Sequence, residues 1–408
     1  MKKVIINTVA AGLILFNSAC NKEDNSKEDV KEAKPIELTA KQNEKVSADN
    51  RFSFNIFKEV SSSIGANTFF SPLSLNLALG MLYNGTTDET RDEMVQVLGL
   101  GDFSETEINE YYQKMSQALL KIDPLTEIGI ANSIWYREGY PVKQPFIDIN
   151  KEYFDAIVKS LDFRKSDAAD IINKWCADKT KNRIEEIIEK PIPEDVIMYL
   201  INALYFKSKW QFEFDKANTK QANFTKTNGN NIMVNMMELS ADLHYYADQY
   251  LQCVELPYGN QAFSMITILP NNNMEIDQLI AYLDNDIWQN IINNLSKREI
   301  HVKLPRFKIE CEIPLNEPVK NVGMLRIFFG GLGNIANSDL AVSNIKQKTF
   351  VEVNEEGTEA AAVTVIEISE CYGCFDGQFN ANRPFLYLIK EKSTGAILFI
   401  GRMDEPKE

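Results

Sequence analysis

The segment 199–210, YLINALYFKSKW, is apolar almost throughout. A strand that is apolar on both faces belongs in the middle of a sheet covered on both sides. The chain around it supplies further helices and strands. Phe52, Phe54, Ile56 and Phe57 suit one face of an amphipathic helix, with folding starting near Asn50. Ser71 is placed to cap a core helix and Pro72 to open it, ahead of Leu75, Leu77, Leu79, Met81 and Leu82. Serines set in so apolar a region need hydrogen-bond partners. Helices are read over 86–98, 146–154 and 171–179. Strands are read over 131–136, 251–256, 262–269, 302–310, 383–389 and 397–402.

A second stretch, 351–368 (VEVNEEGTEAAAVTVIEI), behaves differently. It begins as an alternating strand, Val351 and Val353 on one face and Glu352 and Asn354 on the other. Glu355, Glu356 and Gly357 interrupt it. Beyond them, one face of an extended chain carries Thr358, Ala360, Ala362, Thr364, Ile366 and Ile368, none charged. The other carries Glu359, Ala361, Val363, Val365 and Glu367. Such a segment suits a central strand with its small, apolar face inward. The residues that follow, SECYGCFDG (369–377), read as an exposed loop. A β-hairpin with an ordinary arm satisfies the same pattern.

Composition narrows the function. The chain has 408 residues, 44% of them hydrophobic, enough for a sizeable core. Its net charge of −15 argues against nucleic acid or anionic membrane surfaces as partners. Its two histidines, His244 and His301, leave little for His-dependent catalysis or a His-rich metal site. No GxSxG, HExxH or phosphate loop occurs. The reading is therefore not an enzyme, with no cofactor and no metal. Met265 and the run 233–237 (MVNMM) read as core filling, and Cys176, Cys253 and Cys311 as buried thiols. No internal repeat or long structureless loop divides the chain, so 48–408 is read as a single domain.

The N-terminus lies outside that domain. Lys2 and Lys3 precede an apolar run, 4–16, too short for a typical membrane span. Cys20 follows Asn17, Ser18 and Ala19, and the arrangement resembles a bacterial lipoprotein signal, with Asn17 where leucine is usual. That resemblance implies a signal peptide over 1–19 and a lipid on Cys20. Residues 20–47 then form a flexible acidic tether. Lys22, Glu23 and Asp24 resemble the surface-export signal of Bacteroidetes lipoproteins. The expected location is the outer membrane, facing the cell surface after secretion across the inner membrane. The N-terminal lipid would be the sole membrane contact.

The run EVNEEGTEAAA closely resembles the reactive-loop hinge of the serpin family, at the same place near the C-terminus. Four further sites match: NTFFSPLS (67–74), NALYFKSKW (202–210), LPRF (304–307) and the closing strands NRPFLYLI (382–389) and ILFIGR (397–402). The resemblance implies an α+β serpin fold with three β-sheets, about nine helices and an exposed reactive-centre loop. It also implies an irreversible suicide-substrate inhibitor of serine endopeptidases, with cysteine proteases as a further target class. A protease attacks the loop and forms an acyl-enzyme through its own catalytic residues. The cleaved loop, 355–371, inserts into the main sheet and traps it. By the same resemblance Glu355, Glu356, Gly357, Thr358, Glu359, Ala360, Ala361 and Ala362 form the hinge. Ser71, Ser74 and Asn202 line the region that parts, Trp210 marks where insertion begins, and Arg306 pairs with Glu355. The family usually has a histidine bonding that asparagine. Here the position is Gln347, whose amide also donates and accepts.

Counting from the hinge glutamate places the scissile residue at Cys371; counting back from Phe385 allows Glu370, and Tyr372 is the third choice. Glu370 suits a glutamyl-specific protease, Cys371 an elastase-like one and Tyr372 a chymotrypsin-like one. No Arg or Lys lies between Val351 and Arg383, which disfavours trypsin-like targets. Cys371 and Cys374 form a C-x-x-C that stands as two free thiols or as a disulfide, and is too few ligands for a metal. The alternative function is a non-inhibitory serpin-fold binding protein. Such proteins tend to carry bulky or charged hinge residues where this chain has Thr358, Glu359 and three alanines. The protein is expected to be a monomer.

Overall fold

The computed structural model describes residues 33–358 and 377–408. The expectations for Cys20 and the rest of 1–32 lie outside the described residues. So do those for Glu359, Ala360, Ala361, Ala362, Glu370, Cys371, Tyr372 and Cys374. Among the described residues there are nine α-helices: α1 (Ala40–Ile64), α2 (Pro72–Tyr83), α3 (Asp88–Val97), α4 (Glu105–Leu119), α5 (Gln144–Phe154), α6 (Ala168–Lys179), α7 (Ile276–Tyr282), α8 (Asn285–Asn294) and α9 (Asn316–Asn321). The strands of the first half are β1 (Thr68–Phe70), β2 (Glu127–Arg137), β3 (Ile157–Leu161), β4 (Met198–Lys209), β5 (Lys220–Thr225) and β6 (Asn231–Ala247). Then follow β7 (Leu251–Pro257), β8 (Phe263–Pro270), β9 (Ser296–Pro305), β10 (Phe307–Pro314) and β11 (Lys346–Asn354). The last four are β12 (Gly357–Thr358), β13 (Gly377–Asn380), β14 (Phe385–Glu391) and β15 (Ile397–Met403).

The architecture is α+β. One sheet runs β10-β11-β12-β4-β2-β3. The other runs β1-β15-β14-β8-β7-β6-β9-β13, with β5 on β6. Long β6 pairs with β9 through Met236–Tyr245 and with β7 through His244–Ala247, so two of the three expected sheets share one continuous ladder.

The doubly apolar segment is β4. Leu204 and Phe206 on one face join the core of the second sheet, while Ile201 and Ala203 on the other pack with Trp135 and Trp175 of β2 and α6. Helix α2 is apolar nearly all round and almost wholly buried, as a helix of that composition must be. Ser71 caps it, its side chain accepting from the Ser74 N–H, and Pro72 supplies the first turn.

Several expectations need correction. Met233, read as core filling, is exposed, and Cys311, read as a buried thiol, is half-buried. The strand expected over 302–310 is two strands in different sheets, β9 and β10, broken at Arg306. Pro305 has no N–H to continue a ladder, and the Arg306 N–H turns to the Asn235 carbonyl. The tether expected over 20–47 ends earlier. Thr39 and Gln42 form a capping box, and α1 begins at Ala40. Lys45 is fully buried, its ammonium facing the Tyr111 and Tyr112 rings at 5.5 and 5.3 Å and paired with Asp49.

Candidate functional site

The site is the short strand β12, wedged between β11 and β4. Val353 pairs with Thr358 and Asn354 with Gly357 on one side; Lys209 pairs with Gly357 and Ser208 with Thr358 on the other. Among the described residues, β12 alone joins β4 to β11. Beneath it the two flanking strands line a cavity of about 870 Å³, whose wall includes Ser71, Ser74, Asn202, Leu204, Gln347 and Phe399.

The turn Asn354–Gly357 is held mainly through its backbone. Trp210 reads it twice, its indole N–H donating to the Asn354 carbonyl at 2.8 Å and its main-chain N–H to the Glu356 carbonyl at 3.0 Å. The Phe214 N–H donates to the Glu355 carbonyl at 2.9 Å. Only glycine fits at 357: a Cβ there would lie 2.1 Å from the Ser208 carbonyl oxygen and 2.7 Å from the Lys209 Cα.

The two hinge glutamates are both buried. Glu355, 1% exposed, accepts from Arg306 Nε at 2.7–2.8 Å, from Arg306 Nη2 at 2.6 Å and from the Thr219 hydroxyl at 2.5 Å. Burial pushes its pKa up, but the Arg306 guanidinium and Thr219 more than offset this and hold it below the ordinary value. Glu356 pairs with Lys216, whose ammonium is correspondingly favoured in its charged form. Thr358 is 2% exposed, its hydroxyl 2.5 Å from that of Tyr258. The Tyr258 ring stacks on Trp210 with centroids 4.5 Å apart.

At the far end of the cavity, Gln347 meets Ser71. Its amide oxygen accepts from the Ser71 N–H at 2.7 Å, and its amide nitrogen donates to the Ser71 carbonyl at 2.9 Å. The Ser71 hydroxyl donates to the Leu398 carbonyl, and that of Ser74 reaches the Asn202 carbonyl at 3.5 Å. Asn202 donates to the side chain of Asn132 at 2.7 Å, while its own amide oxygen is buried with no partner among the described residues. The expected bond between the 347 and 202 side chains is therefore not made. Among the described residues β11 and β4 do not pair with each other, and Gln347 instead bonds the cap of α2.

The arrangement thus gathers Trp210, Arg306, Glu355, Glu356, Gly357 and Thr358 at one end of the cavity, and Ser71, Ser74, Asn202 and Gln347 along it. Sequence reading missed Thr219, Lys216 and Tyr258. The first two sit in a polar run, KANTK, that carries no signal. Tyr258 was legible only as a turn residue, although an aromatic beside Gly259 in a turn is itself a hint of packing.

Comparison with known proteins gives a consistent answer. The family model for serpins, described as serine protease inhibitors, matches residues 47–406. Iripin-3 of Ixodes ricinus is 34% identical over 367 residues, covering 88% of this chain and 93% of its own length. Human serpin I2 is 31% identical over 367 residues, covering 88% of this chain and 91% of its own length.

 Among solved structures, the thermophilic serpin Tengpin in its native state is similar with a TM-score of 0.83 and 30% identity, covering 92% of this chain and 97% of that one. Human thyroxine-binding globulin, solved as a complex with thyroxine, is similar with a TM-score of 0.82 and 25% identity, covering 90% of this chain and 100% of that one.

Proposed function

The chain belongs to the serpin family, and from that premise we propose that it is an irreversible suicide-substrate inhibitor of serine endopeptidases. The single observation that supports this best is the two-residue strand β12. It starts a lane between β4 and β11 that the residues after it are suited to fill. If the antiparallel register of Gly357 and Thr358 were continued after cleavage, Ala360 would fall between Val351 and Phe206, Ala362 between Thr349 and Leu204, and Thr364 between Gln347 and Asn202. These positions share the face of Thr358, and all of them are small and uncharged. In an inserted strand the charged residues Glu359 and Glu367 would take the opposite face.

The chemistry belongs to the protease. Its serine oxygen attacks the carbonyl carbon of the scissile residue, the peptide C–N bond breaks, and the new amine leaves with a proton on the C-terminal fragment. The acyl-enzyme ester then faces water. Inhibition requires that the freed loop fill the lane and displace the protease before hydrolysis completes, which makes it a kinetic race. The residues of this chain take no acid–base or nucleophilic part.

The scissile bond in this reading is Cys371–Tyr372, Glu370–Cys371 or Tyr372–Gly373, with elastase-like, glutamyl-specific or chymotrypsin-like targets respectively. Anchoring through Cys20 at the cell surface belongs to the same proposal. The test is to incubate the protein with one protease of each class and run denaturing gels. A higher-mass band that survives denaturant is expected with at least one, and mass spectrometry of the released C-terminal peptide identifies the bond. Complete cleavage with no such band for any class would favour a non-inhibitory binding protein; thyroxine-binding globulin, similar in fold, is by its name a binding protein.

A further inference from the structure

The residues just before α1 are packed against the fold, and the contacts they make converge on the hinge. The Ala33 N–H donates to the Asn260 carbonyl at 3.1 Å, and the Ile36 N–H donates to the Ser393 hydroxyl at 2.9 Å. Ala33 and Ile36 also pack against the core of the second sheet. Both partners lie in turns that are tied to each other, since the Lys392 N–H donates to the Ala262 carbonyl at 2.8 Å.

The turn that holds Asn260 also holds Tyr258, whose hydroxyl touches Thr358. It is joined to the segment under the hinge as well. The Gly259 N–H donates to the Lys209 carbonyl, and the Gln211 N–H to the Pro257 carbonyl, at 2.9 and 2.8 Å. Lys209 is the pairing partner of Gly357, and Trp210 holds the hinge backbone. A continuous set of packed and hydrogen-bonded groups therefore runs from Ala33 through the 257–262 turn to both sides of β12.

We propose that residues 33–39 are a strap that positions Tyr258 and thereby sets how firmly the hinge is held before any protease arrives. Asn260 and Tyr258 are positioning residues in this scheme, and the strap is the element that fixes them. The grip on Thr358 is a property of the folded chain; only its consequence for trapping rests on the inhibitory reading. Loosening the strap would free the turn, weaken the Tyr258–Thr358 contact and let β12 move without cleavage.

The test uses the full chain with Ala33→Pro, which removes the N–H that Asn260 accepts, and Ser393→Ala, which removes the acceptor of the Ile36 N–H. Hydrogen exchange is followed at the amides of Trp210 and Phe214, which donate to the hinge carbonyls. Exchange about fivefold faster at these two positions is expected, the factor that one net hydrogen bond is worth. Faster exchange confined to 33–64 and 391–396, with Trp210 and Phe214 unchanged in both variants, overturns the proposal. Should Ala33→Pro speed exchange throughout the chain, the milder Ser393→Ala decides between the two outcomes. A wild-type protein that traps no protease would remove the inhibitory reading and leave this exchange result standing.

Discussion

Glu355 is a carboxylate withdrawn almost wholly from water and kept charged by Arg306. Removing one partner of such a pair strands the other. Arg306→Ala is expected to destabilise the protein by about 2 kcal/mol, less than a fully buried pair because the guanidinium keeps part of its surface in water. Denaturant unfolding measures this. The depressed pKa of Glu355 also fixes a pH dependence. Its stabilisation is present above the ordinary value of 4.5 and is lost as pH falls through the lower folded value. The wild type and Arg306→Ala should therefore converge in stability under acid, and a gap that persists there would sink the assignment. Gln347 makes the opposite prediction, because an amide does not titrate. In Gln347→His the ring must accept from the Ser71 N–H, which the protonated form cannot do. That variant should lose thermal stability as pH falls through about 6.5, where the wild type shows no such step at this contact.

Among elements, β12 is the one on which the proposed function turns. Thr358 already lies inside the sheet with its hydroxyl against Tyr258. Thr358→Arg would bury a charge in that place, so the variant is expected to be cleaved as a substrate without forming the denaturant-resistant complex. A stable complex from this variant would contradict insertion through β12. The elements easiest to read from the sequence are those whose identity is written within themselves. The segment that became β4 is apolar on both faces, α2 carries its own cap and proline, and β11 alternates cleanly. What was not legible depends on which elements meet. The alternation over 302–310 runs unbroken through Pro305 and gives no sign of the change of sheet. Lys45 looks like part of a solvated tether, since nothing local shows that Tyr111, Tyr112 and Asp49 will surround it. Gln347 was expected to reach Asn202, and nothing local to either residue shows that its amide will bond the Ser71 backbone instead.

For the whole molecule, the decisive quantity is the difference between the uncleaved and the loop-cleaved chain. If the lane between β4 and β11 is filled after cleavage, a strand of backbone hydrogen bonds is added on both of its sides. Cleavage within 369–376 should then raise the thermal midpoint, measured by circular dichroism, where an ordinary nicked loop would leave it unchanged or lower it. An unchanged midpoint would remove the basis for trapping. The lane has one further consequence, which concerns supply. On the proposed mechanism it accepts one strand, once, so each copy would be a consumable that intercepts a single attacker and is then spent. Protection would scale with the number of fresh copies on hand, and the cell that makes the protein would have to replenish its stock by synthesis because no copy can be recharged.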